Sequence, residues 1–297
     1  MRLGSILLVA AVASCGHLPG KPGVPSGVPD RPSVPGGLGG ASGEVDPNTC
    51  GNYAAQDAGA KLKIFLQATK DLEATTTETA KIVKQSCVMM GQELGMAAGD
   101  LSGDDTNGIC AKVITTYQNN LKVELKANAK LKIKYKPAVC TVDASASAGA
   151  GAACSGGAAA GTGGSGAGGQ CAAAAKVNAS VNAKCTEPEL AIGFDAKLAV
   201  DPTKLEVTLK AMRDGLPKLL SVAARIKPIQ EATAAWVKAA ADLKDMAPKF
   251  VSSFGDQALC ISGQIAAAAN AATHIQANVS VSVSVSASAS GSVAGGS

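Results

Sequence analysis

Two histidines and nine cysteines are the scarcest reactive side chains in this 297-residue sequence, and both sets say what the chain is not built to do. His17 lies in a Pro/Gly-rich stretch and His274 lies in "AATHIQ", so one imidazole at most belongs to a folded domain. No C-x-x-C spacing occurs, which argues against a zinc or dithiol redox centre. The acidic run "GDDTNG" resembles part of a calcium loop. Its first ligand position would be Gly103 and its twelfth Ile114, neither of which supplies a side-chain oxygen. The Gly-rich segment "CSGGAAAGTGGSGAGGQC", residues 154–171, lacks the GK[ST] that completes a phosphate-binding loop. General acid–base or nucleophilic catalysis recruits His, paired carboxylates or an activated nucleophile, and no such set stands out. The sequence therefore points away from an enzyme. It assigns no catalytic, cofactor-binding or metal-ligating residue and implies no cofactor.

The cysteines suit structure instead. The first fifteen residues, "MRLGSILLVAAVASC", combine Arg2 with an apolar stretch from Ile6 to Ala13 that is too short to span a bilayer. "VASC" resembles a lipobox, with small residues before the cysteine that becomes the mature N-terminus. By that resemblance residues 1–15 are a signal peptide ending at a lipidated Cys15. Several acyl chains on one residue would anchor the protein stably. Gly16 follows, with no acidic residue there, which favours the outer membrane. Residues 16–49 are dense in Pro and Gly and are expected to be a disordered tether. At about 3.1 Å per residue it would reach on the order of 100 Å. Eight further cysteines, an even number in an exported chain, predict a disulfide framework.

The elements that would carry this framework are helices at both ends of a domain spanning residues 50–297. Apolar residues recur at three- and four-residue steps from Tyr53 to about Ala98, a helix of roughly 70 Å. "GDLSGDDTNG" breaks it. A second helix follows with Ile109, Val113, Ile114, Tyr117 and Leu121 on one face. An antiparallel turn between the two predicts Cys87–Cys110. Asp201 and Pro202 open another helical block. Pro217, Pro228 and Pro248 are expected to kink or divide it. "EATAAWVKAAADLKDM" and "PKFVSSFGDQALCISGQIAAAANAATHI" read as further helices.

Between the helices lies "LKVELKANAKLKIKYKPAVC", residues 121–140, apolar and cationic by turns. A helix would strand Val123, Leu131 and Tyr135 on the wrong side, whereas a strand accounts for every apolar position. "ELAIGFDAKLAV" alternates in the same way. The register that sets Ile133 opposite Ile192 also sets Leu131 opposite Phe194, Leu125 opposite Val200, Lys130 opposite Asp195 and Lys136 opposite Glu189. It further aligns Pro137 with Pro188, Cys140 with Cys185 and Cys154 with Cys171. Beyond the prolines both arms change phase together, with Val142, Ala144, Ala146 and Ala148 against Ala183, Val181, Ala179 and Val177. A hairpin inserted at about 121–201 is thus expected, broken at the prolines. Its lysines face solvent, or else an anionic lipid or polysaccharide. Elimination leaves Cys50–Cys260. The C-terminal "NVSVSVSVSASASGS" alternates without charge and is expected to add a third strand. The predicted fold class is α+β: an antiparallel helical bundle, a long disulfide-stapled antiparallel hairpin and a C-terminal strand.

"QSCVMMGQELGM", "GICAKVITTYQNNL", "KPAVCTVDASASAGAGAAC", "AKCTEPELAI" and "GDQALCISGQI" resemble blocks in cell-envelope lipoproteins of myxobacteria and related deltaproteobacteria. The resemblance covers most of residues 50–297 and implies cell-envelope residence; together with the lipobox-like "VASC" and Gly16, the expected location is the envelope, lipid-anchored and at the outer membrane, on its periplasmic or surface face. Many of those proteins have a more cysteine-rich centre than this one. No activity is established for the group, so no site residue carries over. The expected function is a non-enzymatic envelope lipoprotein: a tethered scaffold, spacer or binding module. Its partners would be the membrane through the lipid and an envelope polysaccharide or protein. A net charge of +4 is too small to imply nucleic acid. The alternative is a membrane-active protein, since long amphipathic helices with an inserted hairpin resemble helical pore-forming toxins. The Gly, Ser and Ala of the hairpin tip offer little insertion energy for that role.

Overall fold

A computed structural model describes residues 44–55, 57–126, 129, 131–142 and 167–295. Five helices dominate: α1 (Asp57–Glu93), α2 (Thr106–Glu124), α3 (Ala167–Val181), α4 (Pro202–Val251) and α5 (Ala258–Gly295). Four short strands lie between them: β1 (Lys132–Lys136), β2 (Cys140–Thr141), β3 (Lys184–Cys185) and β4 (Glu189–Gly193).

Helix α1 ends earlier than its apolar periodicity suggests, and the reason is local. Gly95 has φ +73°, Gly95 N–H donates to the Gln92 carbonyl, and Met96 N–H donates to the Gly91 carbonyl. This pair of bonds is a Schellman cap, and the residues beyond it cannot continue the helix. Four small polar residues of α1, Thr69, Thr76, Thr79 and Ser86, are buried. Each donates its hydroxyl to a carbonyl three or four residues back, which satisfies it without a partner from outside. Asp105 caps α2 by accepting from Gly108 N–H at 2.9 Å. Asp201 caps α4 by accepting from Thr203 and Lys204 N–H at 3.0 and 3.2 Å, and Pro202 occupies the first helical position.

Helix α4 runs through Pro217, Pro228 and Pro248 for 50 residues, roughly 75 Å, so the expected division does not occur. Each proline removes one backbone bond, but buried neighbours on both sides of the first two hold the helix in line. Leu216, Leu219 and Leu220 flank Pro217, and Ile226 and Ile229 flank Pro228. "EATAAWVKAAADLKDM" is therefore part of α4 and not a separate helix. Gly255, at φ +54°, turns the chain from α4 into α5.

The C-terminal third strand is not formed. Residues 279–290 belong to α5. The alternation of Val and Ser satisfies a two-residue period, but it also leaves small residues at helical spacing. Ile261, Ile265, Ala268, Ile275, Val279, Ser282, Ser286 and Ala289 are all buried, at steps drawn from three, four and seven. A seam of Ala, Val and Ser lets the neighbouring helix come close, and that packing decides against the strand.

The hairpin is present but shorter than expected. β1 pairs with β4 antiparallel, Ile133 opposite Ile192, Tyr135 opposite Leu190 and Lys136 opposite Glu189. β2 pairs with β3 through Cys140 opposite Cys185 and Thr141 opposite Lys184. The two pairs share the predicted register and are separate sheets, with Pro137 and Pro188 between them. Toward the helices the expected pairing stops. Residues 121–124 complete α2, and the bridge beyond it joins Leu125 to Ala199, one residue off the expected Val200. On the other arm Val177, Ala179 and Val181 lie in α3, not opposite Ala148, Ala146 and Ala144. Those three alanines lie outside the described residues, as does Lys130, the expected partner of Asp195.

Two apolar clusters fill the interior. One gathers about Trp236 and takes the first half of α1, α3, the second half of α4 and the first half of α5. The other gathers Met90, Tyr117, Leu209 and Leu216 from the second half of α1, α2 and the first half of α4, with Leu131 and Ile192 from the hairpin. The folded unit begins before residue 50. Val45 is 1 % exposed, Asp46 N–H donates to Gln264 Oε1 at 2.7 Å, and Tyr53 Oη donates to the Pro47 carbonyl at 2.8 Å. Residues 45–47, read as tether from composition, are thus part of the body.

Candidate functional site

Disulfides join Cys50 to Cys260, Cys87 to Cys110 and Cys140 to Cys185, the partners the sequence reading assigns. Their Cα separations are 5.5, 5.2 and 4.0 Å. The last is below the usual range, in a pair where side chains stand directly opposite across the strands. Thr186 N–H donates to the Val139 carbonyl and Val139 N–H to Thr186 Oγ1 beside it. Cys171 is also disulfide-bonded. Its expected partner Cys154 lies outside the described residues, as does Cys15. His274 is exposed on α5. Among the described residues no group of His, Cys, Asp and Glu could hold a metal ion, and no helix is long and apolar enough to cross a membrane.

The root of the hairpin holds the one buried carboxylate among the described residues. Glu124, the last residue of α2, is 8 % exposed. Its Oε2 accepts from Thr208 Oγ1 at 3.0 Å, and Asn120 Nδ2 approaches the same hydroxyl at 3.4 Å. The Glu124 carbonyl accepts from Val200 N–H at 2.7 Å, and Lys126 N–H donates to the Leu198 carbonyl. These bonds stitch the end of α2 to the strand-to-helix turn before α4. Burial pushes the Glu124 carboxyl above its usual range, and Asp201 adds to this, while the Thr208 bond and Lys204 oppose it. The sequence gives no sign of this group. In "LKVELK" it reads as one more solvated charge, and Thr208 is 84 residues away.

The hairpin itself divides into two faces. Ile133, Leu190 and Ile192 turn to the second apolar cluster. Lys132, Lys134 and Lys136 share the opposite face, across from Gly193, Ala191 and Glu189. Lys136 Nζ meets Glu189 Oε1 at 2.7 Å in an exposed ion pair. Lys132 and Lys134 have no acidic partner among the described residues. Among the described residues, seven of the eight large hydrophobics that stay exposed lie on this arm or at its root. Tyr135, Val139 and Val142 are on the arm, and Val123, Leu198, Val200 and Val207 surround the root. Partial burial raises the Tyr135 phenol.

A groove of about 470 Å³ lies between α4 and α5, lined by Gln230, Thr233 and Val237 on one side and Gln276, Val279 and Val283 on the other. Its walls carry amides, hydroxyls and aliphatic groups and no ionisable side chain, so it holds no acid, base or activated nucleophile.

Comparison with known proteins yields no matching family, no matching curated protein and no matching solved structure.

Proposed function

We propose that the protein is a non-enzymatic lipoprotein of the bacterial cell envelope, held at the outer membrane through Cys15, where its stapled helical body acts as a spacer or binding module. The observation that carries this reading is the state of the cysteines. All seven described cysteines are disulfide-bonded, which fits an oxidising, extracytoplasmic compartment. Six of them pair with one another. With Cys154 as the partner of Cys171, Cys15 is left for the lipid, at the place where "VASC" puts it. A helix of 50 residues, packed within a body whose other elements are joined by disulfides, supports a mechanical role more than a chemical one.

Mass spectrometry of the protein purified from membranes tests the proposal. An acylated N-terminal Cys15 is expected, and Cys15→Ala should move the protein from the membrane to the soluble fraction. A mature chain starting elsewhere without lipid would overturn it.

A further inference from the structure

We infer that the outer face of α5 pairs two copies of this chain, in a helix-to-helix contact that runs from Leu259 to Gly291 and takes in the α4–α5 groove at its edge.

Composition is the first observation. Helix α5 packs against α1, α2 and α4 on one side, and its other side is exposed. The exposed face of α4 is charged, with Lys210, Asp214, Lys218, Arg225, Glu231 and Lys238. Helix α5, Ala258–Gly295, contains no Lys, Arg, Asp or Glu at all. Starting at Gly263 and stepping by three and four in turn reaches nine positions up to Gly291, all of them exposed. Every one is Gly, Ala, Ser, Thr or Asn, so the stripe is small as well as neutral. This spacing is the seam of a left-handed helix pair. Gly and Ala lose no rotamer freedom when covered.

The second observation is what the stripe leaves unsatisfied. Ser280 and Ser284 also line the α4–α5 groove, whose floor includes Thr233. Thr233 is 5 % exposed, and its hydroxyl has no hydrogen-bond partner. A buried hydroxyl in that state costs free energy until an acceptor is supplied. One helical turn before Gly263, on the same line, Leu259 is 80 % exposed, the most exposed large hydrophobic among the described residues.

Charge and length select the occupant. A charge-free face offers nothing to a polyanion or to a lipid headgroup. Nor does it suit the bilayer core, since Asn270, Thr273 and Ser280 lie on it and no described helix is apolar enough to cross a membrane. A second α5 matches it in size and in neutrality, and carries hydroxyls and amides able to accept from Thr233. Such a self-complementary face closes about a two-fold axis. From Leu259 to Gly291 the line is about 48 Å long, and a band about 10 Å wide on each copy would bury on the order of 1,000 Å² in total. That is the lower limit for a specific contact, so a folded monomer in reversible exchange with a dimer is expected. The contact does not depend on lipidation of Cys15.

The test uses the full-length chain carrying Cys15→Ala, so that association reads the protein surface and not an acyl group. Sedimentation velocity over a concentration series should show a monomer passing to a dimer in the micromolar range. A277E/S284E sets like charges on both copies and should weaken the dimer about tenfold or more. Mixing it with A277K/S284K should restore a dimer, which a loss of fold could not do. Leu259→Ser should weaken the dimer severalfold. Thr233→Val should do the same while leaving the monomer at least as stable, because it removes an unpaired hydroxyl. Ala277→Cys should give a disulfide-linked dimer under mild oxidation, and Lys132→Cys, on the hairpin, should not. Thermal melts at dilutions where the chain is monomeric establish that each variant folds. A monomer at every concentration, a dimer untouched by the folded variants, or cross-linking through Lys132→Cys in place of Ala277→Cys would overturn the inference. So would binding to lipid vesicles that A277E/S284E abolishes in a chain that stays monomeric.

Discussion

The indole N–H of Trp236 donates to Thr69 Oγ1 across 2.9 Å, joining α4 to α1 through two side chains 167 residues apart in sequence. Both residues are 0 % exposed, and Thr69 passes its own proton to the Phe65 carbonyl at 2.9 Å. The Phe65 ring lies nearly parallel to the indole at 5.9 Å between centroids. Trp236 thus has its one polar atom satisfied inside an apolar cluster. Thr69→Val keeps the shape and removes the acceptor, leaving a buried donor unpaired. It should cost about 1–3 kcal/mol in urea unfolding. Thr69→Ser keeps the acceptor and should cost less. A harmless Thr69→Val beside a costly Thr69→Ser would mean that the methyl group, not the hydrogen bond, matters at this position.

Helices α1 and α4 are in close contact where Gly215 faces Met90. A Cβ at Gly215 would sit 2.0 Å from Met90 Cγ and 2.3 Å from its sulfur, and Met90 is fully buried. Alanine in mid-helix is normally better than glycine by up to about 1 kcal/mol. Here the clash should outweigh that gain, and Gly215→Ala should lower the melting temperature. Gly263, exposed in α5, has nothing within 4 Å of an added Cβ, so Gly263→Ala should raise it. If both substitutions stabilise the protein, the close approach of the two helices is wrong.

Glu124 links stability to pH in a definite direction. Its carboxyl is raised in the folded protein, chiefly by burial. The folded state therefore favours the protonated form, which is neutral. The resulting stabilisation is complete below the unfolded value of about 4.3 and is lost as pH rises through the folded one. Glu124→Gln retains an oxygen for Thr208 and cannot ionise. It should unfold at a higher temperature than the parent at pH 7, with the difference shrinking toward pH 4. A difference that grows on acidification would show that the carboxylate, not the acid, is the form the fold prefers.

The hairpin and α5 show what the sequence could and could not reveal. From Lys132 to Lys136 the alternation coincides with a partner strand that alternates too, and the charge pair Lys136–Glu189, the proline pair and the Cys140–Cys185 pair all agree on one register. Such agreement across 40 or more residues is hard to produce from a helix. Nearer the helices that agreement thins out. Val123 and Leu125 fit a strand by period alone, but α2, already formed from Thr106, runs on through Glu124 because a helix is extended more easily than it is started. Glu124 could not be recognised as buried, since its partner Thr208 and the turn above it are assembled only by tertiary contact. The disulfide partners were legible because the register and the turn between α1 and α2 supply proximity that spacing alone does not.

The segment "VSVSVSVSAS" gives the sharpest test of helix against strand. In α5 Ser282 and Ser286 are 0 % and 2 % exposed and face the body, while Ser284 and Ser288 point outward. In a strand all four would share one face, because side chains repeat every two residues. Substitution by leucine separates the two arrangements. Ser282→Leu or Ser286→Leu would force a large group into a seam of small residues and should cost about 1–3 kcal/mol. Ser288→Leu should be within about 0.5 kcal/mol of the parent, as expected for an exposed site. Ser284→Leu should behave like Ser288→Leu, since its side chain lies at the open edge of the α4–α5 groove. Four equal effects in chemical denaturation would restore the strand and remove the helical seam. An alternating response, with two positions intolerant and two indifferent, is what the helix requires.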